Sequence, residues 1–369
     1  MEDTEDQMQQ SELAVVEERN RMCDEFASIT STDNAVAQGY LAENDWDIER
    51  AVHSFFEADV ETIPCDISPE LDSNKKSNMK CGSEPLVCID LTEEEPASGS
   101  SSTVEGGGSK VQTEPEDNSR FSVLTWNIDG LDITNPLERA RGICSYIALY
   151  SPDVVFLQEV VPPYLSYLKK RAVSYTIVEG NEDCYFTAVM LKKSRVKLLK
   201  TEIIPFPSTS MMRNLLTVQA SFCGIELHLM TSHLESTKNH SGERINQLKT
   251  VLTKIKEAPE TSIVIFGGDT NLRDQEVAKI GGLPSNVCDI WEYLGKPEHC
   301  RYTWDTKTNH NLQVNYISRM RFDRVFFRAS KGGGQIIPQN MDLIGLEKLD
   351  CGKFPSDHWG IYCDFRVVL

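Results

Sequence analysis

Residues 119–369 contain short hydrophobic runs separated by polar residues, and this pattern predicts strands that alternate with helices. Eight runs rich in β-branched and aromatic residues predict strands, at 121–126, 153–157, 184–192, 214–222, 225–232, 262–267, 322–328 and 359–367. Apolar residues at helical spacing predict helices over 136–150 and 244–257. We therefore expect an α/β domain over 119–369, and side chains that follow strand ends are the first candidates for function.

Residues 14–65 follow a different pattern, in which three short amphipathic segments predict helices. We expect these helices at 15–29, at 34–41 and after Asp45, which can cap the third one. Four apolar side chains of the third segment share one face: Ile48, Val52, Phe55 and Phe56. Because such short helices need mutual packing to be stable, the sequence predicts a small three-helix module.

The stretch between these parts, residues 66–118, is rich in Ser, Glu, Gly and Pro, and aromatic residues are absent between Phe56 and Phe121. Such a segment buries too little apolar surface to offset its ordering entropy. We therefore expect a disordered acidic linker at 66–118 and a disordered tail at 1–13. One apolar island at 86–91 (LVCIDL) interrupts the linker, and it is either an edge strand for a partner's sheet or an inert patch.

The charge of the chain is divided at the same boundary. A net charge of −19 taken over the whole chain disfavours binding to anionic nucleic acid. Residues 1–118 contain 29 acidic and 7 basic residues, however, so the remaining 251 residues carry a net charge of +3. The acidity belongs to the N-terminal module and the linker, and it does not exclude a nucleic-acid substrate for the α/β domain.

Composition disfavours two further classes of protein. The N-terminus is acidic and no run of about 18 apolar residues occurs, so we expect neither a secretory signal nor a membrane span. The eleven cysteines are scattered and include no CxxC pair. We expect free thiols in a reducing compartment rather than a disulfide framework or a zinc ribbon.

Five clusters of polar residues follow predicted strands. They read WNIDG at 126–130, LQEV at 157–160, TSHLES at 231–236, GGDTN at 267–271 and SDHWG at 356–360. Any one of them is commonly a turn, but all five together favour metal-assisted phosphodiester hydrolysis. Glu159 and Asp357 offer the oxygen ligands that Mg²⁺ prefers, with Mn²⁺ as the alternative metal.

The remaining polar residues of these clusters suit the other parts of such a reaction. Asp269 can accept a proton from an attacking water molecule, and Asn271 can orient that water. His358 and His233 can donate hydrogen bonds to phosphate oxygens as charge builds on them.

Taken in chain order, the clusters resemble the motifs of the endonuclease/exonuclease/phosphatase superfamily, which includes DNase I and the apurinic endonucleases. The matching residues are Asn127, Glu159, His233, Asp269 with Asn271, and Asp357 with His358. The resemblance covers about 119–369 and implies a four-layer α/β sandwich, in which two mixed β-sheets pack face to face with helices outside. It also implies that Asn127 and His358 hold the phosphate, that Asp269 is the base, and that Glu159, assisted by Asp357, binds Mg²⁺.

Within the superfamily, TWNIDGLD, LQEV, FGGDTNLRD and FPSDHWG resemble the 5′-tyrosyl-DNA phosphodiesterases. This resemblance implies hydrolysis of the 5′-phosphotyrosyl bond between a DNA end and a stalled type II topoisomerase, and from that substrate we expect the nucleus as the location, with the cytoplasm in addition. A tyrosine phenolate, with a pKa of about 10, can depart without a strong general acid. Aromatic and basic side chains suit a single-stranded 5′ end. We expect six residues to bind it, with ordinary packing as the alternative: Tyr185, Arg213, Ser236, Arg273, Trp304 and Phe322.

Two resemblances in the acidic part imply protein partners. Residues 35–57 (AVAQGYLAENDWDIERAVHSFFE) resemble a ubiquitin-associated domain, which implies that 14–65 binds ubiquitin. The island at 86–91, with the glutamates that follow it, resembles a SUMO-interacting motif. The alternatives are a helical bundle without a partner and an apolar patch without a function.

Rival functions for the α/β domain stay open. One group keeps the superfamily and changes the substrate, to an abasic-site endonuclease, an RNA deadenylase or an inositol-phosphate phosphatase. The other rival is a ubiquitin- and SUMO-binding adaptor whose nuclease-like domain is inert. Turnover of a 5′-phosphotyrosyl oligonucleotide, measured with and without Mg²⁺ and against an abasic duplex, separates these possibilities.

Overall fold

The computed structural model describes residues 19–27, 34–43, 46, 48, 51, 117–181, 185–314 and 316–369. Residues 19–27 are helical and α1 (Asn34–Glu43) follows, so both lie where helices are predicted. In the third predicted helix Ile48 and Ala51 are helical and Trp46 lies in a turn, while its other residues lie outside the described part of the chain. The predicted tail at 1–13 and the apolar island at 86–91 also lie outside it, as does the linker up to residue 116.

The helical segments bury a small apolar cluster of their own. The rings of Phe26 and Tyr40 stack with their centroids 5.8 Å apart, and Leu41 is fully buried beside them. Met211, from the α/β domain, belongs to the same cluster and is only 1% exposed. The helical module therefore packs against the α/β domain at this side chain.

One six-stranded sheet of the α/β domain has the order β13-β14-β1-β2-β4-β3. The neighbours β1 and β2 run parallel and the other neighbours antiparallel, so the sheet is mixed. Its strands are β1 (Arg120–Asn127), β2 (Val154–Val160), β3 (Tyr175–Glu179), β4 (Phe186–Lys192), β13 (Gln335–Ile344) and β14 (Gly360–Val368).

The second six-stranded sheet has the order β5-β6-β7-β8-β12-β9, with β7 and β8 as its parallel pair. Its strands are β5 (Val196–Pro205), β6 (Asn214–Phe222), β7 (Ile225–Thr231), β8 (Ile263–Asp269), β9 (Cys288–Asp289) and β12 (Asp323–Arg328). Two further short strands pair only with each other: β10 (Trp304–Asp305) and β11 (Arg319–Met320).

Helices cover the outer faces of both sheets. On the outer faces lie α2 (Pro136–Tyr150), α3 (Pro162–Arg171), α4 (Ser241–Glu257) and α5 (Asp274–Lys279), whereas α6 (Ile290–Tyr293) and a 3₁₀ turn at Glu298–Cys300 bury Ile290 and Cys300 in the cluster between the sheets. The largest apolar cluster lies between the sheets, where side chains such as Phe156 and Ile265 are fully buried. A second cluster packs α2 and α3 on the first sheet, and a third packs α4 on the second sheet. These layers confirm the predicted four-layer α/β sandwich.

Several elements were absent from the predictions, and each has a local reason. In β5 nearly all residues are exposed, so the strand lacks the alternation that reveals a half-buried strand. In β13 the pairing register shifts at Pro338, which interrupts the strand pattern. Helix α3 is only ten residues long and begins with two prolines. The edge strand β3 has only five residues.

The expectations of free thiols and of no membrane span can be compared with the described residues. All seven cysteines in the described ranges are free. Among the helices that the structure describes, none is both long and apolar enough to cross a membrane.

Candidate active site

Strand ends from both sheets meet at one edge of the sandwich. Asn127 ends β1 and Glu159 lies near the end of β2, whereas Asp269 ends β8 in the second sheet. Because the strands of each parallel pair end on the same side, their last residues are brought together. The Asn127 amide nitrogen (Nδ2) donates to Glu159 Oε1 at 2.8 Å and to Asp269 Oδ2 at 3.0 Å. One buried amide thus joins the two sheets at the centre of the site.

The backbone at Glu159 is unusual and redirects its side chain. Glu159 has a positive φ of 58°, and the pairing of β2 with β4 shifts register between Leu157 and Val160. A non-glycine residue in the left-handed region is uncommon and is often found at functional sites. A Cβ atom at Gly130 would lie 2.2 Å from the Glu159 carbonyl oxygen, so only glycine fits against this bulge. The bulge leaves the Glu159 carboxylate partly exposed, at 17%.

His233, which follows β7, is held in one protonation state by its neighbours. The Arg213 guanidinium (Nη1) lies 2.9 Å from His233 Nδ1, and a guanidinium can only donate, so Nδ1 is the acceptor. The other ring nitrogen, Nε2, then carries the proton and lies 3.2 Å from Asp269 Oδ2. Burial and the positive charge of Arg213 hold the pKa of His233 well below its usual value. His233 is therefore a neutral donor that points at Asp269.

Asp269 has the properties of a general base. Burial is the main cause that raises its pKa to about 6, with Asp323 adding to the rise, while His358 and hydrogen bonds from Asn127 and Asn271 oppose it. The Asn271 backbone N–H donates to Asp269 Oδ1 at 3.0 Å, from a left-handed conformation with φ of 49°. A carboxylate with a pKa just below neutral is ionised at pH 7 and still basic enough to take a proton.

His358 is the opposite of His233 in charge. Its Nδ1 lies 2.8 Å from Asp323 Oδ2, and its Nε2 lies 3.7 Å from Asp269 Oδ2. Burial opposes protonation, but the carboxylates of Asp323, Asp357 and Asp269 outweigh it and raise the pKa of His358 well above its usual value. His358 is therefore an imidazolium, which can donate to an anion such as phosphate.

Carboxylates are in excess on the side of the site formed by the first sheet. Asp129 is buried beside Asp357 and Glu159, and burial, followed by these two charges, raises its pKa well above the usual value. The buried guanidinium of Arg139 contacts it, with Nη2 2.8 Å from Asp129 Oδ2. Such an excess of oxygen ligands suits a divalent cation.

Among the described residues of the site, one trio places ligand atoms within 4.8 Å of one another, namely Asp269, Asp323 and His358. Because the pKa of His358 is raised, its ring carries a proton on both nitrogens near neutral pH and offers no lone pair to a metal. The Asp323 carboxylate already forms an ion pair with that ring at 2.8 Å. Within this trio the ion pair of His358 with Asp323 therefore competes with a metal for the same atoms.

The six residues predicted to bind substrate form two groups of mutual contacts. In the first group the Arg213 guanidinium lies 4.7 Å over the Tyr185 ring, and its Nη2 donates to Ser236 Oγ at 3.1 Å. In the second group the Arg273 guanidinium lies 5.5 Å from the Phe322 ring centroid.

The second group also contains Trp304, whose ring lies 5.6 Å from that of Phe322. Its indole nitrogen donates to Asp357 Oδ2 at 3.0 Å. Ser236 reaches the centre of the site through Asn271, whose Nδ2 lies 3.3 Å from Ser236 Oγ. All thirteen predicted site residues thus lie in one connected set of contacts, and their roles stay predictions.

Sequence reasoning missed three residues that shape this site. Asp323, the first residue of β12, pairs with His358 across 35 positions of sequence and belongs to no local motif. Asp129 stands inside WNIDG, where it reads as a turn residue, and Arg139 stands inside α2, where it reads as a surface cation. Only the fold shows that both side chains are buried, at 4% and 0% exposed.

The sequence is similar to curated proteins along nearly its whole length. It is 60% identical over 361 residues to "Tyrosyl-DNA phosphodiesterase 2" of Xenopus tropicalis, which covers 98% of this chain and 96% of that protein. It is 58% identical over 354 residues to the protein of the same name from Homo sapiens, covering 96% of this chain and 94% of that one.

The fold is similar to solved structures as well. The crystal structure of D. rerio TDP2 complexed with single strand DNA product matches with a TM-score of 0.66 and 65% identity, over 67% of this chain and 99% of that chain. The structure of TDP2 from C. elegans matches with a TM-score of 0.62 and 30% identity, over 94% of this chain and 93% of that chain.

Family models match both parts of the chain. Residues 21–61 match the UBA-like domain, in the region of the predicted helical module. Residues 124–358, which contain every residue of the site described above, match the Endonuclease/Exonuclease/phosphatase family. On these matches and the geometry of the site, the chain belongs to the endonuclease/exonuclease/phosphatase family.

Proposed function

We propose that this chain hydrolyses the phosphodiester bond that joins a tyrosine to the 5′ end of DNA, with Mg²⁺ as its metal. The observation that carries the proposal is the meeting of Asn127, Glu159, Asp269 and His358 at one point, flanked by aromatic and arginine side chains. The relatives named tyrosyl-DNA phosphodiesterase 2 support the substrate, at up to 60% identity.

Glu159 and Asp357 would hold the metal, next to the buried carboxylate of Asp129. Carboxylate oxygens that retain partial access to water suit Mg²⁺, which keeps several of its water ligands, and Mn²⁺ takes the same ligands. When bound there, the metal supplies charge neutralisation for the phosphate and stabilises the oxygen that departs.

Three neutral or positive side chains would bind the phosphate group. The Asn127 amide, the His358 imidazolium and the neutral His233 ring each have an N–H group beside Asp269 Oδ2, and from there they would donate hydrogen bonds to phosphate oxygens. Donors fixed in a buried site need little reorganisation as charge builds on the phosphate oxygens.

Asp269 would take the proton from the attacking water, which Asn271 orients. Its pKa of about 6 makes it an ionised base at neutral pH. General-base assistance is worth about 10²–10⁴-fold, so positioning and electrostatics must supply the rest of the acceleration. The tyrosine leaves as a phenolate, with a pKa of about 10, and needs no strong acid in the site.

The two aromatic–arginine groups would grip the DNA end and the tyrosine. Tyr185 with Arg213, and Phe322 with Arg273 and Trp304, offer ring faces for stacking and cations for phosphates. We propose that the tyrosine belongs to a stalled type II topoisomerase and that hydrolysis leaves a 5′-phosphate for repair. Such a substrate locates the protein in the nucleus, with a second population in the cytoplasm.

The acidic part of the chain would bring partners to this site. We propose that 14–65 binds ubiquitin, in keeping with the match of 21–61 to the UBA-like domain. We propose SUMO as the partner of 86–91, on the strength of its apolar run and the glutamates after it.

The deciding experiment is a cleavage assay with a 5′-phosphotyrosyl oligonucleotide, run with and without Mg²⁺. We expect release of tyrosine that depends on Mg²⁺ and leaves a 5′-phosphate. An abasic duplex and a polyadenylated RNA serve as rival substrates in the same assay. Preference for either rival would replace the proposed substrate, and no activity on any phosphodiester would favour the adaptor.

A further inference from the structure

Glu235 lies in the segment after β7, and the proposed function makes no use of its side chain. The residue is 0% exposed. One carboxylate oxygen accepts from Thr209 Oγ1 at 2.8 Å and from Gln247 Nε2 at 2.7 Å. The other accepts from the backbone N–H of Ser210 at 2.8 Å and from its hydroxyl at 2.7 Å. Four donors therefore converge on this one buried carboxylate.

The surroundings favour the ionised form of Glu235. Burial raises its pKa, but the hydrogen bonds from Ser210, Gln247 and Thr209 outweigh burial and lower the pKa overall. An ionised carboxylate carries acceptors on both oxygens and no proton, which matches four donors. A carboxamide of the same shape has a donor on one side and cannot match them.

Three of the four donors belong to the loop 206–213, which joins β5 to β6. Thr209 links the Glu235 carboxylate to the rest of the loop. Its hydroxyl oxygen also accepts hydrogen bonds from the backbone N–H of Met211 at 3.2 Å and of Arg213 at 3.0 Å. Only one hydroxyl group separates the Glu235 carboxylate from the main chain of Arg213.

The loop in turn positions one of the two aromatic–arginine groups. The Met211 carbonyl accepts from the Tyr185 hydroxyl at 2.8 Å. Arg213 leaves the loop toward the site, where it reaches His233 Nδ1 at 2.9 Å and Ser236 Oγ at 3.1 Å. If the loop shifted, Tyr185 and Arg213 would both lose their places, while Glu159, Asp269 and His358 would keep theirs. His233 would lose the donor on Nδ1 but keep the contact of Nε2 with Asp269, 3.2 Å away.

We propose that Glu235 is a positioning residue that fixes the loop 206–213 and thereby presents Arg213 and Tyr185 to the 5′ end of DNA. The inference rests on the proposed function, because that function assigns these two side chains to the DNA. Glu235 itself is too deeply buried to touch the substrate. It sets the affinity for the DNA end more than the rate of the chemical step.

The test compares Glu235→Gln with two variants of its relay, Thr209→Val and Thr209→Ser. In E235Q the amide N–H₂ must face either the Ser210 donors or the donors of Thr209 and Gln247. The hydrogen bonds on that side are then lost, because a donor faces donors. We expect E235Q and T209V to raise KM for a 5′-phosphotyrosyl oligonucleotide about tenfold, with kcat changed by less than about threefold. T209S keeps the hydroxyl and restores KM to near the wild-type value.

Glu243→Gln is the matched control. Glu243 Oε1 also accepts from Gln247 Nε2, at 3.1 Å, and among the described residues no hydrogen bond joins it to the loop. We expect E243Q to leave KM and kcat unchanged. Thermal unfolding checks that each variant is folded. If E235Q does not fold, the KM of T209V alone tests the positioning role of Glu235.

A second measurement separates this inference from the proposed function. Fluorescence anisotropy with a 5′-phosphorylated oligonucleotide should give a Kd about tenfold higher for E235Q and T209V than for the wild type. If E235Q and T209V keep the wild-type KM and Kd, or if only kcat falls, the positioning role is wrong. If the wild type releases no tyrosine, the proposed substrate is wrong, and the anisotropy still decides the role of Glu235.

Discussion

Each half of the site is braced by a fully buried arginine, and the two arginines differ in the charge around them. Arg139, in α2, donates to the carbonyls of Ile128 and Asp129 at 3.2 and 2.7 Å, after the end of β1. Arg244, in α4, donates to the carbonyl of Glu235 at 2.8 Å, after the end of β7. Both residues are 0% exposed. Each guanidinium ties down the loop that carries functional side chains.

The carboxylate partners of the two arginines show the difference. Glu276 accepts from Arg244 on both oxygens, at 2.7 and 3.1 Å, and hydrogen bonds with Arg244 lower its pKa in spite of burial. Asp129 also pairs with its arginine, but burial and neighbouring acids raise its pKa. The charges of Arg244 and Glu276 match one to one, whereas Asp129 lies beside the further negative charges of Glu159 and Asp357, which leaves negative charge for a cation. The two buried arginine–carboxylate pairs thus differ in role: Arg244 with Glu276 holds a loop in place, and the surroundings of Arg139 and Asp129 also suit a metal.

The largest effect should come from removing a carboxylate in the charge-rich half. Glu159→Ala should lower tyrosine release by at least about 10³-fold, because the proposed metal loses its main ligand. The variant should be no less stable than the wild type, since one negative charge beside Asp129 is gone. Mg²⁺ should raise the Tm of the wild type and not that of E159A. Glu202→Ala, on exposed β5, is the control, and equal turnover in both variants would contradict the assignment.

The next effect concerns stability and tests the two braces directly. Arg244→Met leaves an ionised Glu276 buried without its partner and should cost about 3–5 kcal/mol of unfolding free energy. Arg139→Met should cost less, because the raised pKa of Asp129 lets that carboxyl take up a proton more easily. Urea denaturation of both variants at pH 7 measures the difference. The reverse order would mean that Asp129, and not Glu276, is the carboxylate that depends more on its arginine.

A smaller effect on activity is expected from a change of pH, through the ionisation of Asp269. The base must be ionised to act, and its pKa is raised to about 6. Activity should therefore be constant above that value and fall about tenfold for each pH unit below it. A profile of kcat/KM from pH 5 to 8 measures this, and Asp269→Asn should abolish the activity that titrates. A profile without a step near 6 would rule out Asp269 as the base.

The smallest effect is expected from deletion of residues 1–118. All proposed catalytic residues lie beyond this segment, so kcat/KM on a short 5′-phosphotyrosyl oligonucleotide should change less than about twofold. Ubiquitin binding should be lost in the same variant. Loss of most turnover would show that the two halves of the site depend on the helical module.

The sequence predicts elements that are clearly apolar, whether on one face or, as in β1 and β8, along the whole strand. The predicted helix 136–150 and strand 214–222 coincide with α2 and β6, because each has one buried and one wetter side. Strand β5 was not predicted, because an exposed edge strand places little constraint on residue type. Strand order and the pairing of the two sheets depend on contacts between distant residues, and here the family resemblance supplied what periodicity does not.

The site divides in a similar way. Residues that touch the reacting groups stand in short motifs after strands, so Glu159, Asp269 and His358 could be found from sequence. Residues that hold others in place cannot be recognised by position: Asp323 stands in no motif and acts on His358 across 35 residues, and Glu235 stands in the cluster TSHLES but acts on Thr209 across 26. Their meaning depends on the fold, because any buried acid could serve a packing role.

Met211 gives the boundary between module and α/β domain a chemical signature. Its backbone belongs to the loop that Glu235 anchors, yet its side chain lies in the apolar cluster of the helical segments. When the helical module packs against the α/β domain, Met211 is 1% exposed, and its thioether is shielded from peroxide. Oxidation of this one methionine, followed by mass spectrometry, would report whether the module is docked while tyrosine release is measured in the same sample.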